Sequence, residues 1–322
     1  MRSNDNMCRV LITGASGFAG RALVAALAQQ SHSVRAASRR AQPSVFPPGV
    51  EIAAHGDFTA DVDWRPLLRG IDKVVHLAGI GHTGRGIAAT AYDRVNHLAT
   101  AAFAGAAAQA GVRQFVFVSS VRAQCGATAD HAVTERDPPA PTDAYGRSKL
   151  AAEQALRTAR VPFTILRPAL LYGPGGKGNF ALLVRAAASR WPLPLKGFGN
   201  RRSLLGVDNL ISAITFVLQS EAALGETFVV ADPGIPPPLA DVVATLRQAQ
   251  GRRKLLLPMP PHYVGFLLRL IGRHDLWQRI GGNLRVDPSK LIAAGWHPRH
   301  DTRAGLTALA KVQPTSGRLA DS

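Results

Sequence analysis

Tyr145 and Lys149 stand four residues apart in the run Tyr145-Gly146-Arg147-Ser148-Lys149. On a helix that spacing stacks the two side chains on one face. A free phenol titrates near ~10, too high for a good general base at neutral pH. A neighbouring ammonium favours the phenolate and brings it towards the range useful for acid–base work. The same spacing also occurs on any solvated helix face that carries a tyrosine and a lysine. Its meaning depends on what the rest of the chain places beside it.

The elements that would position the pair begin at the N-terminus. Cys8 to Ile12 reads as a buried strand, and Thr13-Gly14-Ala15-Ser16-Gly17-Phe18-Ala19-Gly20 follows it, opening a helix that runs to about Gln30. Strand, glycine-rich turn and helix form the geometry in which backbone N–H groups and a helix N-terminus hold a pyrophosphate. Gly14, Gly17 and Gly20 allow the turn, the close approach of phosphate and tight packing of helix on strand. Ser16, Phe18 and Ala19 share that turn as candidate cofactor contacts.

The second strand, Ser33 to Ala37, ends at Ser38-Arg39-Arg40. An acid about 20 residues beyond the glycines would bond a ribose 2′-hydroxyl, whereas arginine accommodates a 2′-phosphate. The acid is missing and two arginines are present, which tilts the expected cofactor, NAD(P), towards NADP(H). An exposed loop in an arginine-rich protein would look the same.

Further strands alternate with helices. Val50 to Ala54, Lys73 to Leu77, Gln114 to Ser119 and Phe163 to Leu166 read as strands, and Tyr92 to Ala110 as a helix. This alternation predicts an α/β fold, a Rossmann-type doubly wound parallel sheet with ligands beyond the carboxyl ends of its strands. After Arg167-Pro168 the composition shifts to Gly, Pro and Lys/Arg at Tyr172 to Gly178 and Trp191 to Asn200. Short elements then follow: helices at Asp208–Gln219 and Leu239–Ala249, a strand at Thr227–Val230, and helical stretches at Pro258–Ile271 and Pro288–Ala294. The expected division is a dinucleotide-binding domain over 1–168 and a smaller α/β substrate-binding region over 169–322, possible interleaving included. The tail after about Val312 is polar.

Composition narrows the function classes. With 322 residues, 46% hydrophobic and 18% charged, the chain is an ordinary globular protein. Its net charge of +17 favours anionic partners. The basic residues nevertheless come in groups of two or three, such as Arg201-Arg202 and Arg252-Arg253-Lys254. No basic helix or aromatic-studded basic strand points to nucleic acid. Two cysteines, Cys8 and Cys125, make no disulfide framework, and no metal site is expected. The polar stretch before Val10 is no signal peptide, and Tyr263 to Ile271 is too short to span a bilayer. A cytoplasmic protein without a transmembrane segment is expected. Pro258 to Gly272 is the one stretch that could touch a membrane surface.

Taken together, these motifs resemble the extended short-chain dehydrogenase/reductase family, in its nucleotide-sugar epimerase and dehydratase branch. The resemblance runs from Val10 to about Leu309. Thr13 to Gly20 matches the family's Thr-Gly-x-x-Gly-x-x-Gly, and Tyr145 with Lys149 its Tyr-x-x-x-Lys. It implies that Asp57 and Phe58 lie beside the adenine ring. Leu77, Ala78 and Gly79 would line the cofactor, with Tyr145, Lys149 and Pro168 also in contact. Asn96 matches the asparagine of the family's Asn–Ser–Tyr–Lys tetrad. Asn179 and Arg201 would bind the substrate diphosphate. Asn200 to Ser203 and Asp208 to Leu210 look most like the bacterial subgroup termed UDP-glucose 4-epimerase-like, some of whose members serve surface-polysaccharide synthesis.

The tetrad serine follows the strand ending at Val118. Ser120 is the choice, beside Ser119, while an ungapped count back from Gly126 gives Val121. The resemblance implies hydride transfer at C4 of a nucleotide-linked, UDP-type hexose. Tyr145, lowered by Lys149 and an oxidised nicotinamide, would exchange the proton, and Ser120 would bond the same oxygen and so also the substrate. The family's dehydratases place an acid pair after the tetrad serine. Val121-Arg122 disfavours dehydration, leaving a 4-epimerase or a 4-keto reductase. A homodimer would be usual in such a family. The reading from another class is a non-catalytic dinucleotide-binding sensor or scaffold.

Overall fold

Val10-Leu11-Ile12 is apolar because β1 (Arg9–Thr13) lies at the centre of a parallel sheet covered on both faces. The computed structural model describes residues 8–30, 32–60, 62–81, 86–176, 179–270, 272 and 281–312. Its central sheet contains β1, β2 (Ser33–Ser38), β3 (Glu51–Ala54), β4 (Lys73–His76) and β5 (Gln114–Val118). The chain then makes a short β6 (Ala132–Val133) outside it before returning as β7 (Phe163–Pro168). Two short strands, β8 (Leu170–Tyr172) and β9 (Leu204–Gly206), precede β10 (Thr227–Val230), and β11 (Arg285–Val286) comes last.

The seven-stranded sheet has the order β10-β7-β5-β4-β1-β2-β3, parallel throughout. From β1 the chain winds one way through β2 and β3, then crosses to β4 and winds the other way. The reversal opens a crevice beyond the carboxyl ends of β1 and β4, where open α/β sheets hold their ligands. β10 comes from beyond residue 168 and closes on β7, with Thr227 opposite Ile165. The doubly wound α/β class expected from the alternation is the observed one.

Side chains of adjacent strand residues leave by opposite faces. Val10, Ile12, Val75, Val116 and Leu166 therefore join one core with Leu23, Leu27 and Ile214. Leu11, Val74, Phe115, Phe117 and Ile165 join the other, with Trp64, Phe103 and Leu156. A third core gathers Tyr172, Phe180, Val243, Leu246 and Leu306 away from the sheet. Two small parallel pairs, β8 with β9 and β6 with β11, accompany it.

The expected helix from Tyr92 to Ala110 is interrupted. Ala89–Tyr92 and Ala99–Gln109 are α-helical, and Asp93–Leu98 between them is π-helical. A widened turn of this kind re-aims one side chain, and here the turn carries Asn96. The expected late helix is observed as Pro261–Leu270. Among the described residues no helix is long and apolar enough to cross a membrane.

Candidate active site

The glycine turn is built by close approach. Gly14 has φ +69°, and a Cβ there would stand 2.7 Å from the Ala78 nitrogen. At Gly20 it would stand 2.2 Å from the Gly14 carbonyl oxygen, a backbone atom that cannot step aside. Leu77 N–H donates to the Thr13 carbonyl at 3.2 Å, so the end of β4 is laid against the turn. Gly17 is exposed and caps the helix Phe18–Gln29 with no side-chain bond, so no capping side chain occupies the N–H groups of the first turn that Phe18 and Ala19 open beside Ser16. A cradle that any Cβ would fill fits a dinucleotide pyrophosphate.

Under the turn, the Thr13 hydroxyl lies 2.7 Å from His76 Nδ1, and His76 Nε2 lies 3.0 Å from the Thr100 hydroxyl. Burial, then Lys149, holds His76 well below the ordinary histidine value, so it is a neutral link between two threonines.

Arg39 and Arg40 are exposed at the end of β2. The His55 N–H donates to the Ser38 carbonyl at 3.0 Å, joining the loops that follow β2 and β3. Asp57 in the second loop accepts from Thr59 N–H at 2.9 Å. That bond, with Arg39 contributing, lowers the Asp57 carboxyl. Phe58 is a core side chain, with its ring centroid 4.2 Å from that of His55 and 5.1 Å from that of Trp64. Only its backbone is available to an adenine.

The other wall is the helix Ala144–Thr158, which begins because Asp143 accepts from Gly146 N–H at 2.7 Å. Arg122 also pairs with Asp143, and a Cβ on Gly146 would stand 2.3 Å from the Arg122 carbonyl oxygen. The helix start is thereby clamped to the short helix Val121–Gln124. Ser120 caps that helix by accepting from Arg122 N–H at 3.1 Å, and it hydrogen-bonds the Tyr145 side chain. Ser119 points the other way and donates to Glu153 at 2.5 Å, while Val121 is buried in the first core. Of the three positions the sequence left open, Ser120 is the one that meets Tyr145.

Lys149 lies one turn further on and is only 5% exposed. Its ammonium donates to the Val118 carbonyl at 3.2 Å and sits 4.8 Å from the Phe117 ring centroid. Burial lowers it to about 8, with Glu153 opposing. For Tyr145 the groups of the chain act in both directions. Burial raises it, and Ser120 is the main group pulling it down; Arg122 also lowers it, while Asp143 and Tyr92 add to the rise. The groups of the protein alone do not depress the phenol, because Lys149 is itself buried and engaged elsewhere.

Asn96 is fully buried. Its Oδ1 accepts from Ile80 N–H at 2.7 Å, and its Nδ2 donates to the Ile80 carbonyl at 3.0 Å and to Ser148 Oγ at 3.2 Å. Ser148 donates in turn to the Tyr145 carbonyl at 2.8 Å. Asn96 thus ties the loop after β4 to the Tyr145 helix. A Cβ at Gly79 would stand 2.7 Å from Asn96 Oδ1 and 3.5 Å from the Lys149 ammonium. Leu77, Ala78 and Gly79 therefore line the crevice beside Lys149. Pro168 is buried at the end of β7.

The diphosphate candidates lie elsewhere. Arg201 Nη1 donates to the Pro236 carbonyl at 2.7 Å, which occupies one of five guanidinium donors. The Asn179 side chain lies outside the described residues. Among the described residues no group of three or more His, Cys, Asp or Glu could hold a metal ion.

A dinucleotide cradle facing a Ser–Tyr–Lys wall describes a nicotinamide-dependent oxidoreductase fold, and residues 10–231 match the NAD dependent epimerase/dehydratase family. The chain belongs to that family. It is similar to the UDP-glucose 4-epimerase of Vibrio cholerae, 32% identical over 314 residues that cover 94% of each chain. It is also 30% identical over 289 residues to the N-acetyl-alpha-D-glucosaminyl-diphospho-ditrans,octacis-undecaprenol 4-epimerase of Escherichia coli O157:H7, covering 87% of this chain and 82% of the relative. Among solved structures, MoeE5 in complex with UDP-glucose and NAD superposes with a TM-score of 0.75 at 26% identity, over 94% of this chain and 97% of that one. The resemblance to extended short-chain dehydrogenase/reductases stands, and with it an epimerase-like, NAD-dependent class of enzyme.

In this family member, sequence reasoning missed Glu153. Its carboxylate takes the Ser119 hydroxyl and both ends of the Arg167 guanidinium, with Nε at 3.0 Å. The signal was available. Tyr145, Lys149 and Glu153 recur every four residues, which marks one helix face running from the crevice into the core.

Proposed function

We propose that this protein reversibly oxidises C4 of a nucleotide-linked hexose, UDP-linked in the first instance, and works as a 4-epimerase. One observation carries the reading: Ser120 hydrogen-bonds Tyr145, with Lys149 one turn on, across the crevice from the glycine turn. The 4-epimerase of Vibrio cholerae supports the reaction type, and MoeE5 supports a UDP-sugar lying with NAD in this frame.

A bound NAD supplies the hydride acceptor. The remaining work belongs to the chain. Tyr145 takes the proton of the C4 hydroxyl and returns it, and Ser120 bonds the same oxygen and sets its orientation. Lys149, held near its titration point, supplies the positive charge beside the phenol once ligands complete the cleft. Asn96 fixes the Ile80 loop against the Tyr145 helix and so sets the width of the crevice. The residues beyond Pro168 form the substrate half, with Arg201 and Asn179 on the diphosphate. Where a dehydratase would need its acid pair, Val121 is buried and Arg122 is bound to Asp143, which supports epimerisation over loss of water. Such an activated hexose would feed surface-polysaccharide synthesis.

The exposed arginines after β2 favour a second reading, a 4-keto-sugar reductase that consumes NADPH. Incubating the protein with UDP-glucose, then UDP-galactose, and resolving the products separates the two. Interconversion with no added reductant supports the epimerase. Turnover only of 4-keto sugars with added NADPH would replace it with the reductase. For the 2′-phosphate, Arg39→Ala is expected to lower the NADPH/NADH affinity ratio about tenfold. An unchanged ratio in a binding titration would remove the preference for NADP(H).

A further inference from the structure

One face of the helix Pro261–Leu270 is turned away from every core. Tyr263, Phe266 and Leu270 recur at i, i+3 and i+7, on one helix face, and are 57%, 59% and 67% exposed. Trp191, at 68%, is also exposed, as are Leu255 and Leu257. The backbone joins the segments that carry Trp191, Leu255 and Leu257. Leu193 N–H donates to the Leu255 carbonyl at 3.1 Å, and Leu257 N–H donates to the Leu193 carbonyl at 2.8 Å. From beneath, the buried Arg247 donates to the Trp191 and Arg253 carbonyls, pinning both loops. Single exposed apolar residues are ordinary, but a contiguous patch is not. Six of the twelve exposed large apolar side chains among the described residues lie on this helix and these two joined segments.

Its charge is mainly positive, although exposed Asp241 lines one pocket with Lys254. Arg252, Arg253 and Lys254 are exposed immediately before Leu255, and Arg269 flanks the helical stripe. The Arg190 guanidinium sits 5.4 Å from the Trp191 ring centroid. No Asp or Glu occurs between residues 242 and 272, or between 179 and 207. A second copy of the chain would bring the same cations face to face across a two-fold interface. Anionic headgroups match such a rim, while the apolar stripe lies at the acyl boundary, where Trp and Tyr also settle. A helix of 10 residues is too short to span and suits the plane of the interface.

We propose that the helix Pro261–Leu270, with Trp191 and the Arg252-Arg253-Lys254 run, docks this protein peripherally on an anionic lipid surface. Neither the sugar nor the cofactor enters this argument, so it stands apart from the catalytic reading.

The test is sedimentation of the full chain with vesicles of phosphatidylcholine alone, or of phosphatidylcholine mixed with phosphatidylglycerol. The wild type is expected to bind the anionic vesicles at least about tenfold more tightly, and to release with added salt. R252A/R253A/K254A is expected to lose about fivefold in affinity per cation for the anionic vesicles. Y263D/F266D is expected to lose binding to both kinds. All five residues are exposed, and unfolding curves check that each variant folds; should the aspartates fail, the alanine variant carries the test. A wild type left in the supernatant with anionic vesicles would overturn the proposal, as would variants that sediment like it. A wild-type dimer that Y263D/F266D converts to a monomer, with no vesicle binding, would reassign the face to self-association and likewise overturn it.

Discussion

Glu153, under the Tyr145 helix, and Asp232, just past β10, are both almost fully buried carboxylates, and their surroundings differ. Glu153 faces a cation: Arg167 grips it at both oxygens, and Ser119 adds a third donor. Among the described residues Asp232 has only neutral donors. It accepts from Gly206 N–H at 2.9 Å, Asn209 Nδ2 at 2.7 Å, Tyr172 OH at 2.8 Å and Thr302 Oγ1 at 3.0 Å. These bonds gather β8, β9, the helix Val207–Gln219 and the last helix at one point. Burial and the facing carboxylate both push the Tyr172 phenol far above its ordinary value, so it remains a donor. The first arrangement sets a charge beneath the chemistry, next to Ser119 and one turn from Lys149. The second stitches distant segments together and touches no proposed reacting group.

The difference can be broken by substitution. Glu153→Gln leaves the Arg167 guanidinium buried without its counter-charge, and a loss of about 3–5 kcal/mol in urea unfolding is expected. Turnover of the remaining folded protein should fall as well, since Ser119 and Lys149 lose their partner. Asp232→Asn turns an acceptor of four bonds into a group that meets donors with a donor. A loss of about 2 kcal/mol is expected, with turnover per folded molecule kept. If Asp232→Asn cost the more, or silenced the folded enzyme, the two carboxylates would not differ in the way described.

Lys149 sharpens the same contrast through pH. Its folded value of about 8 lies below the ordinary 10.5. Below both values the charge is buried at a cost to the fold, and that cost is relieved as pH rises from about 8 towards 10.5. Lys149→Met is therefore expected to be more stable than the wild type at neutral pH, by about 3 kcal/mol. The gap should shrink across that window in unfolding curves, while turnover is lost at every pH. A gap that widened with pH would reverse the sign of the burial effect.

The sheet half was the more legible part of the chain. Most of its strands are apolar runs that alternate with helices, and its site residues sit at strand ends and at i, i+4 on one helix. The ambiguity between Ser119 and Ser120 has a simple cause. Adjacent residues after a strand leave by opposite faces, and a serine gives no sign of which face it takes. Three features left no trace in the pattern. The π-helical turn at Asn96 has helical composition throughout. β6 and β11 are two residues long, β8 and β9 three, too short to show a period. Asp232 finds its partners 23 to 70 residues away, which no local window joins. The proton affinity of Tyr145 is hidden for a related reason: spacing gives adjacency with Lys149, but burial also weighs on the phenol.

The central claim is that Tyr145 moves the proton at C4. Tyr145→Phe removes one hydroxyl from a helix whose start is held by Asp143, Arg122 and Ser148, so the fold and NAD binding should remain within about twofold of the wild type. The rate of UDP-glucose to UDP-galactose interconversion, measured beside cofactor affinity on the same preparations, is expected to fall by about 10²–10⁴. An epimerisation rate within tenfold of the wild type would contradict the account, because another group would then carry the proton.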